Sequence, residues 1–374
     1  MADITAITMP KWGLTMTEGK VLGWLKREGD SYRAGEELLE IETSKITNVF
    51  EAGEPGKLRR IVAPEGATLP IGALLAVAAP DSVPDAEVEA FCAGFVVPEA
   101  AAEEMAAVSA AAPRDIEAGG RRLRVLDIGT GDGVPVVLVH GFGADLNAWM
   151  FNQPALAERR RVIALDLPGH GGSEKRVGPG DVDLFEAAVA DAMTTMGVER
   201  AHLVGHSMGG AIAIAVAQRQ PGRVASLTLL SAAGLGPEID GPFIDGFVKA
   251  QRRREMQQVL AGLVHDPALI SRVMIEETLR YKRLDGVLMA LESIAAAWFP
   301  NGRQAVDLRP ALAALKLPVQ LIWGRDDRII PAAHAEALAG TLPTHVLDDV
   351  GHLPQMEKAG DVNRLIADFV AAHA

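Results

Sequence analysis

Cysteine is almost missing from this sequence. Cys92 is the only one in 374 residues, which excludes an intramolecular disulfide and any Cys-rich zinc site. No metal ligand set is expected. Basic charge is short as well: 36 Lys and Arg face 49 Asp and Glu, for a formal net charge of −13. Such a chain stays soluble by self-repulsion and has no net attraction for nucleic-acid phosphates or anionic lipid. Long apolar runs are absent; Ala211 to Ala217 is far below the roughly 20 residues of a membrane helix. The opening Met1-Ala2-Asp3-Ile4-Thr5 lacks the basic stretch and apolar core of a secretory signal. A reduced, cytoplasmic protein is therefore expected. An apolar share of 49% and a charged share of 23% support packed cores and exclude a wholly disordered chain. The length favours two or three domains.

The first region repeats itself. Gly19-Lys20 recurs as Gly56-Lys57, Glu28-Gly29 as Glu65-Gly66, Gly35 as Gly72 and Leu38 as Leu75, each pair 37 residues apart. Short apolar stretches lie between these glycine signals with no helical period, which reads as two copies of a small strand set. A pseudo-twofold β module is expected over residues 1–79. Residues 80–113 change texture to alanine, proline and acids with no lysine or arginine. A short helix over Asp85 to Phe95 followed by a mobile linker is expected there.

From residue 114 to 374 apolar strands alternate with helical stretches. Val134 to Val139, Arg161 to Leu165, Ala201 to Val204, Ser226 to Leu230 and Pro318 to Trp323 read as strands, and Leu184 to Met196 and Gly209 to Gln218 as helices. That rhythm predicts a mostly parallel sheet covered on both faces. Residues 234–315 break it with consecutive helical stretches and read as an inserted lid.

Lys45 sits between the two copies of the repeat, in Glu40-Ile41-Glu42-Thr43-Ser44-Lys45. A lone lysine is ordinarily a solvated charge; at the midpoint of a pseudo-twofold module it is presented on a tight turn. With Gly23-Trp24, Glu28-Gly29-Asp30, Gly35 and Gly66, the module resembles the lipoyl domain of 2-oxo acid dehydrogenase complexes. The resemblance implies lipoic acid in amide linkage to Lys45. That family usually has aspartate before its lysine, where this chain has Ser44. Biotin carriers share the fold but flank the lysine with methionines, which Lys45 lacks.

The second region carries Gly205-His206-Ser207-Met208-Gly209 between an apolar strand and a helical stretch, the setting a G-x-S-x-G elbow needs. A serine alcohol needs a histidine to take its proton and a carboxylate to set that histidine's tautomer. Downstream, Asp326 and Asp327 follow a strand, and Asp327 is preferred as the acid. His352 lies on the loop before the last helix and is the expected base. His334 and His345 read as surface polar residues. Upstream, His140-Gly141-Phe142-Gly143 follows a strand end, so the Phe142 and Met208 amides are the expected oxyanion donors. His140 reads as structural, His170 and Ser173 as braces of the 166–173 loop, and His206 as packed beside the elbow. Residues 114–374 resemble the α/β-hydrolase family.

Together the halves resemble the dihydrolipoamide acetyltransferase (E2) component of acetoin dehydrogenase complexes. The resemblance implies a thiamine-diphosphate-dependent E1 and a dihydrolipoamide dehydrogenase E3 as partners, coenzyme A as co-substrate, and a homo-oligomeric core. Acetyl would pass from lipoyl-Lys45 to Ser207 and then to coenzyme A. A flexible tether makes delivery intramolecular, at an effective concentration on the order of mM. The lid would have to exclude water, because hydrolysis competes. Arg252-Arg253-Arg254 reads first as a solvated helix face and second as a contact for coenzyme A phosphates. The D-H-x-x-x-D-G signature of ordinary 2-oxo acid E2 enzymes is absent, as is a basic subunit-binding module, which leaves the Asp85–Phe95 helix as a candidate docking element. Two alternatives stand beside transfer: a thioesterase or ester hydrolase with an attached carrier, and a hydrolase-like domain that is only a structural core.

Overall fold

The computed structural model describes residues 4–10, 18–42, 47–97, 112–131 and 133–373. Two compact units divide the chain, residues 1–112 and 113–374.

In the smaller unit the strands are β1 (Thr5–Thr8), β2 (Glu18–Trp24), β3 (Ser31–Tyr32), β4 (Glu37–Glu42), β5 (Thr47–Glu51), β6 (Gly56–Ile61), β7 (Thr68–Pro70) and β8 (Leu74–Ala78). They form two four-stranded sheets, ordered β1-β8-β6-β3 and β5-β4-β2-β7. Val21, Leu38, Leu39, Ile41, Leu58 and Leu75 are fully buried between them. The sequence repeat governs the backbone. Gly29 and Gly66 take φ of 95° and 84°, and Gly35 and Gly72 take 80° and 78°, values that cost little only without a Cβ. The Gly29 amide donates to the Leu58 carbonyl and the Gly66 amide to the Val21 carbonyl, each at 2.7 Å. Donors and acceptors are both offset by 37 residues, so the two copies exchange equivalent bonds.

Helix α1 (Asp85–Gly94) is docked on this unit. Val88 is buried with Leu74, Val77 and Val83. Arg59 of β6 pairs with Asp85 and donates to the Pro80 and Val83 carbonyls; Arg60 meets Glu89 at 3.1 Å. The acidic stretch therefore begins as part of the β module. Residues 98–111, most of the expected linker, lie outside the described residues.

The larger unit has an eight-stranded sheet ordered β16-β15-β14-β13-β11-β12-β10-β9. Its strands are β9 (Arg114–Ala118), β10 (Arg121–Ile128), β11 (Val136–Val139), β12 (Val162–Leu165), β13 (Ala201–His206), β14 (Val224–Leu230), β15 (Val319–Gly324) and β16 (Thr344–Leu347). β11 to β16 pair in parallel; β9 and β10 form an antiparallel hairpin that pairs antiparallel with β12. Sequence reading missed that hairpin because Arg121, Arg122 and Arg124 interrupt the apolar pattern; Ile116 and Ala118 of β9 and Leu123 and Val125 of β10 carry it inward, all buried. The parallel strands are buried on both faces. Val137, Val139, Leu203, Leu229 and Trp323 enter one core and Val136, Leu138, Val204, Leu230 and Ile322 the other, following the period of two along a strand.

The helices are α2 (Gln153–Ala157), α3 (Val182–Thr195), α4 (Met208–Arg219), α5 (Gly241–Lys249), α6 (Arg253–Ala261), α7 (Arg272–Lys282), α8 (Val287–Trp298), α9 (Arg309–Ala314), α10 (Ala333–Glu336), α11 (Pro354–Glu357) and α12 (Ala359–Ala372). α3 and α4 cover the first face, and α2 and α12 the second. The insertion expected over residues 234–315 holds α5 to α8 as a cap. Its end differs: α9 packs against α4 and belongs to the layer on the sheet.

Candidate active site

The expected residues of the larger unit gather where strands end. β11 continues into Gly141-Phe142, β13 into Ser207, β15 into Asp327 and β16 into His352. β12 and β13 flank β11 on opposite sides, the switch in strand order beyond which open α/β sheets bind ligands.

Ser207 joins β13 to α4 with φ 54° and ψ −121°, a region that costs a non-glycine residue about 1–3 kcal/mol. Its neighbours make the turn possible. A Cβ on Gly205 would stand 2.3 Å from the Gly209 carbonyl oxygen, and one on Gly209 2.2 Å from that of Val139. The Ser207 amide donates to Leu230 at 2.9 Å and its carbonyl accepts from Ala233 at 2.9 Å, so the end of β14 and the turn after it fix the strained residue from both sides of its peptide.

The expected acid and base meet in the interior. His352 Nδ1 lies 2.8 Å from Asp327 Oδ2, with side-chain exposures of 3% and 0%. Asp327 Oδ1 accepts from the Ile329 and Ile330 amides, both at 2.9 Å, which fixes the carboxylate's rotation. A carboxylate on Nδ1 places the proton there and leaves Nε2 as the basic nitrogen. Asp326 turns away, and its Oδ2 meets His265 Nδ1 at 2.9 Å. His206 Nε2 donates to the His352 carbonyl at 2.7 Å, with the two rings 4.8 Å apart. The residue before Ser207 thus ties the histidine loop to the elbow.

Met208 follows Ser207 in the chain, and Phe142 follows Gly141, which packs against the serine. Met208 opens α4, where an amide has no acceptor within its own helix. Among the described residues neither the Phe142 nor the Met208 amide has a backbone acceptor. Gly141 comes so close that a Cβ there would lie 2.9 Å from Ser207 Cβ. The Phe142 ring packs at 5.8 Å against both Phe247 and Phe299 of the cap, an apolar cover over this turn.

His140 and His170 are buried and support the same turn. His140 Nδ1 donates to the Gly141 carbonyl and Nε2 accepts from the Leu167 amide; burial pushes its pKa down to about 4. Burial likewise pushes His170 down to about 3. Ser173 Oγ donates to the Asp166 carbonyl and accepts from the Arg124 amide. Asp166 accepts from the Leu146 and Gly172 amides, and burial raises it to about 6. One expectation is overturned. His334 is not a surface residue: it is 7% exposed, pressed against Gly236 and bonded to Glu238 at 2.9 Å. His345 is half-buried on β16. Neither joins Asp327. Sequence reading missed Asp166, Glu238 and Glu357, whose contacts follow no fixed spacing.

Lys45 lies outside the described residues. The strands before and after it, β4 and β5, pair in antiparallel from Glu37–Glu51 to Glu42–Thr47. Residues 43–46 between them contain one amine, that of Lys45. Lys26 and Lys57 of the same unit are held by Glu36 and Asp81. A primary amine between β4 and β5 is the donor an amide-linked group requires.

Two family models match the chain: one described as alpha/beta hydrolase fold over residues 134–359, and one described as biotin-requiring enzyme, the biotin/lipoyl type, over residues 5–77. They define a carrier module joined to an α/β-hydrolase-fold unit. Among solved structures, a meta-cleavage product hydrolase from Pseudomonas fluorescens is similar at 26% identity and TM-score 0.64, over 70% of this chain and 98% of that one. A curated hydrolase from Paraburkholderia phymatum, acting on 2-hydroxy-6-oxononadienedioate, is 34% identical over 67% of this chain and 92% of its own. Two relatives match both units. The dihydrolipoyllysine-residue acetyltransferase component of the acetoin cleaving system of Pseudomonas putida is 47% identical over the whole of both chains. Its counterpart from Cupriavidus necator is 44% identical over 97% of this chain and 96% of its own. The chain belongs to this family of dihydrolipoyllysine-residue acetyltransferases.

Proposed function

We propose that the chain is the acetyltransferase of an acetoin-cleaving complex and moves acetyl to coenzyme A through an acyl-enzyme on Ser207. Lipoate held in amide linkage by Lys45 supplies a dithiol that carries acyl groups as thioesters. His352 Nε2 takes the Ser207 proton while Asp327 holds the imidazole in that tautomer. Ser207 Oγ attacks a thioester carbonyl, and the Phe142 and Met208 amides receive the developing oxyanion, each worth about 3–4 kcal/mol of barrier. His352 then returns its proton to the departing thiolate. Coenzyme A enters as a thiol, gives its proton to His352 and bonds through sulfur to the acetyl carbon; the bond to Ser207 Oγ breaks and His352 returns the proton to that oxygen. The aromatic cover formed by Phe142, Phe247 and Phe299 favours thiol over water at this step. The observation that carries the reading is the buried Asp327–His352 pair anchored through His206 to the strained Ser207.

Membership in a cleaving system supports E1 and E3 as partners, and we extend this to a homo-oligomeric core working in the cytoplasm. Among the described residues no helix is long and apolar enough to cross a membrane. The second reading, hydrolysis, draws support from the hydrolases that match the larger unit alone. Mixing the protein with acetyl-dihydrolipoamide and coenzyme A separates the two: acetyl-CoA is the expected main product, and its loss in Ser207→Ala is expected. Free acetate as the main product would favour the hydrolase.

A further inference from the structure

The loop that carries His352 has an anchor outside the Ser-His-Asp set. Glu357 closes α11, and its Oε1 accepts from the Gly351 amide at 2.9 Å and the Leu353 amide at 3.2 Å. Its Oε2 accepts from the His265 amide at 2.7 Å. The first two amides bracket His352; the third belongs to the turn that follows cap helix α6. That turn also holds the histidine directly, since the Leu263 carbonyl accepts from the His352 amide at 2.7 Å. A Cβ on Gly351 would stand 2.8 Å from the Leu263 carbonyl oxygen, so the two segments touch backbone to backbone. One carboxylate therefore satisfies three amides from segments more than 80 residues apart in sequence.

We propose that Glu357 is the positioning residue that holds His352 in register with Ser207 and couples that register to the cap turn at 263–265. This rests on His352 being the base of the proposed reaction. The loop between β16 and α11 has no ladder of its own, and Asp349 within it takes φ 54°. Hydrogen bonds to a carboxylate are stronger than neutral ones, and without Glu357 two partly covered amides and the exposed His265 amide lose their acceptor. Glu357 touches no reacting atom; it acts through where it puts the imidazole.

The test uses the full-length protein with acetyl-dihydrolipoamide as donor. Glu357→Ala is expected to lower kcat about 100-fold, as a displacement near 1 Å does, with the KM for coenzyme A within about twofold of wild type. Labelling of Ser207 by a fluorophosphonate slows by the same factor. Glu357→Gln restores both rates to within about fivefold, because its Oε1 keeps the two loop amides and only the His265 bond is lost. Unchanged rates in Glu357→Ala, a failure of Gln to restore them, or a parallel rise in KM overturns the proposal. Should the alanine variant not fold, Glu357→Asp decides. A carboxylate one methylene shorter draws back from the Gly351 and Leu353 amides that bracket His352, so labelling slows about tenfold or more; native labelling refutes the positioning role. Labelling needs neither coenzyme A nor the lipoyl arm. Wild-type protein that labels at Ser207 yet makes no acetyl-CoA therefore counts against the transfer reading and leaves this one standing.

Discussion

The two units solve different problems with the same residue types, and glycine and histidine expose the contrast. In the carrier module the repeated glycines supply positive φ with open space around them: nothing lies within 4 Å of a Cβ placed on Gly29, Gly35 or Gly66. In the larger unit the elbow glycines supply room, with backbone oxygens 2.2–2.3 Å from where a Cβ would stand. All nine histidines belong to the larger unit, and His140, His170, His206 and His352 gather around the elbow. A carrier needs rigid turns that present one amine. A catalyst needs buried titratable groups whose protonation is set by their surroundings.

The largest expected effect separates the roles outright. Lys45→Arg should abolish turnover by the assembled complex and leave the reaction with free acetyl-dihydrolipoamide unchanged, because arginine cannot accept the lipoyl amide and no residue of the larger unit is altered. Ser207→Ala should abolish both, by roughly 1,000-fold or more for a missing nucleophile. Acetyl-CoA assays with tethered and free donors read the two directly. A Lys45→Arg chain that still turns over in the complex would mean that the module's amine is not the carrier.

Glycine substitutions sharpen the same contrast. Gly209→Ala drives a methyl against the Val139 and His140 carbonyl oxygens, costing about 1–3 kcal/mol. It also moves the elbow, so activity with free donor should fall roughly 100-fold. Gly29→Ala, at φ 95°, should cost about 1–2 kcal/mol through its backbone alone and leave activity with free donor intact. Thermal unfolding together with the free-donor assay distinguishes them.

Legibility followed the same divide. Features with a fixed spacing could be read: the 37-residue repeat, the strand–turn–helix setting of Ser207, and the alternation of strands and helices. The geometry then chose between neighbours that spacing left open, turning Asp327 inward to His352 and Asp326 outward to His265. Features made by distant segments left no pattern. The Glu357 bonds to three amides, the Glu238 partner of His334 and the docking of α1 through Arg59 all depend on which surfaces meet. The β9–β10 hairpin was hidden differently, because arginines on an edge dilute the apolar signal that marks a strand.

Acid should strain one unit before the other. His140, His170 and His202 are held near pKa 4, 3 and 4 by burial, below the ordinary 6.5. Neutral when folded, they take up protons on unfolding below 6.5. Their stabilisation is complete above pH 6.5 and is lost as pH falls toward 4. Asp166 acts oppositely: raised from 3.8 to about 6, it favours the fold at low pH and loses that contribution as pH rises through 6. Three histidines outweigh one aspartate over this window. At about 1.4 kcal/mol per pKa unit, each histidine loses about 2 kcal/mol between pH 7 and 5 and Asp166 returns about 1, so the larger unit should lose on the order of 4 kcal/mol. The module, without histidine, should stay level. Hydrogen exchange on the full chain reports both units at once, and earlier loss of protection in the module would contradict the sign.

The smallest effect concerns the arginines at the start of α6. Arg253 meets Glu276 at 2.7 Å, with both side chains about half exposed; the Arg252 amide bonds to Glu255, which caps the helix. Exposed pairs of this kind contribute about 0–1 kcal/mol, so Arg253→Ala should shift unfolding by less than that. A solvated face also predicts that the KM for coenzyme A stays within about twofold, the level at which a long-range, salt-screened charge is lost in the noise of its neighbours. A bond to a coenzyme A phosphate predicts more, since a charge-assisted contact is worth about 1.5–3 kcal/mol and its loss should raise KM roughly tenfold or more. The pairing with Glu276 favours the smaller number, because Arg253 already donates to that carboxylate, which Arg272 shares, and would have to leave it to reach a phosphate.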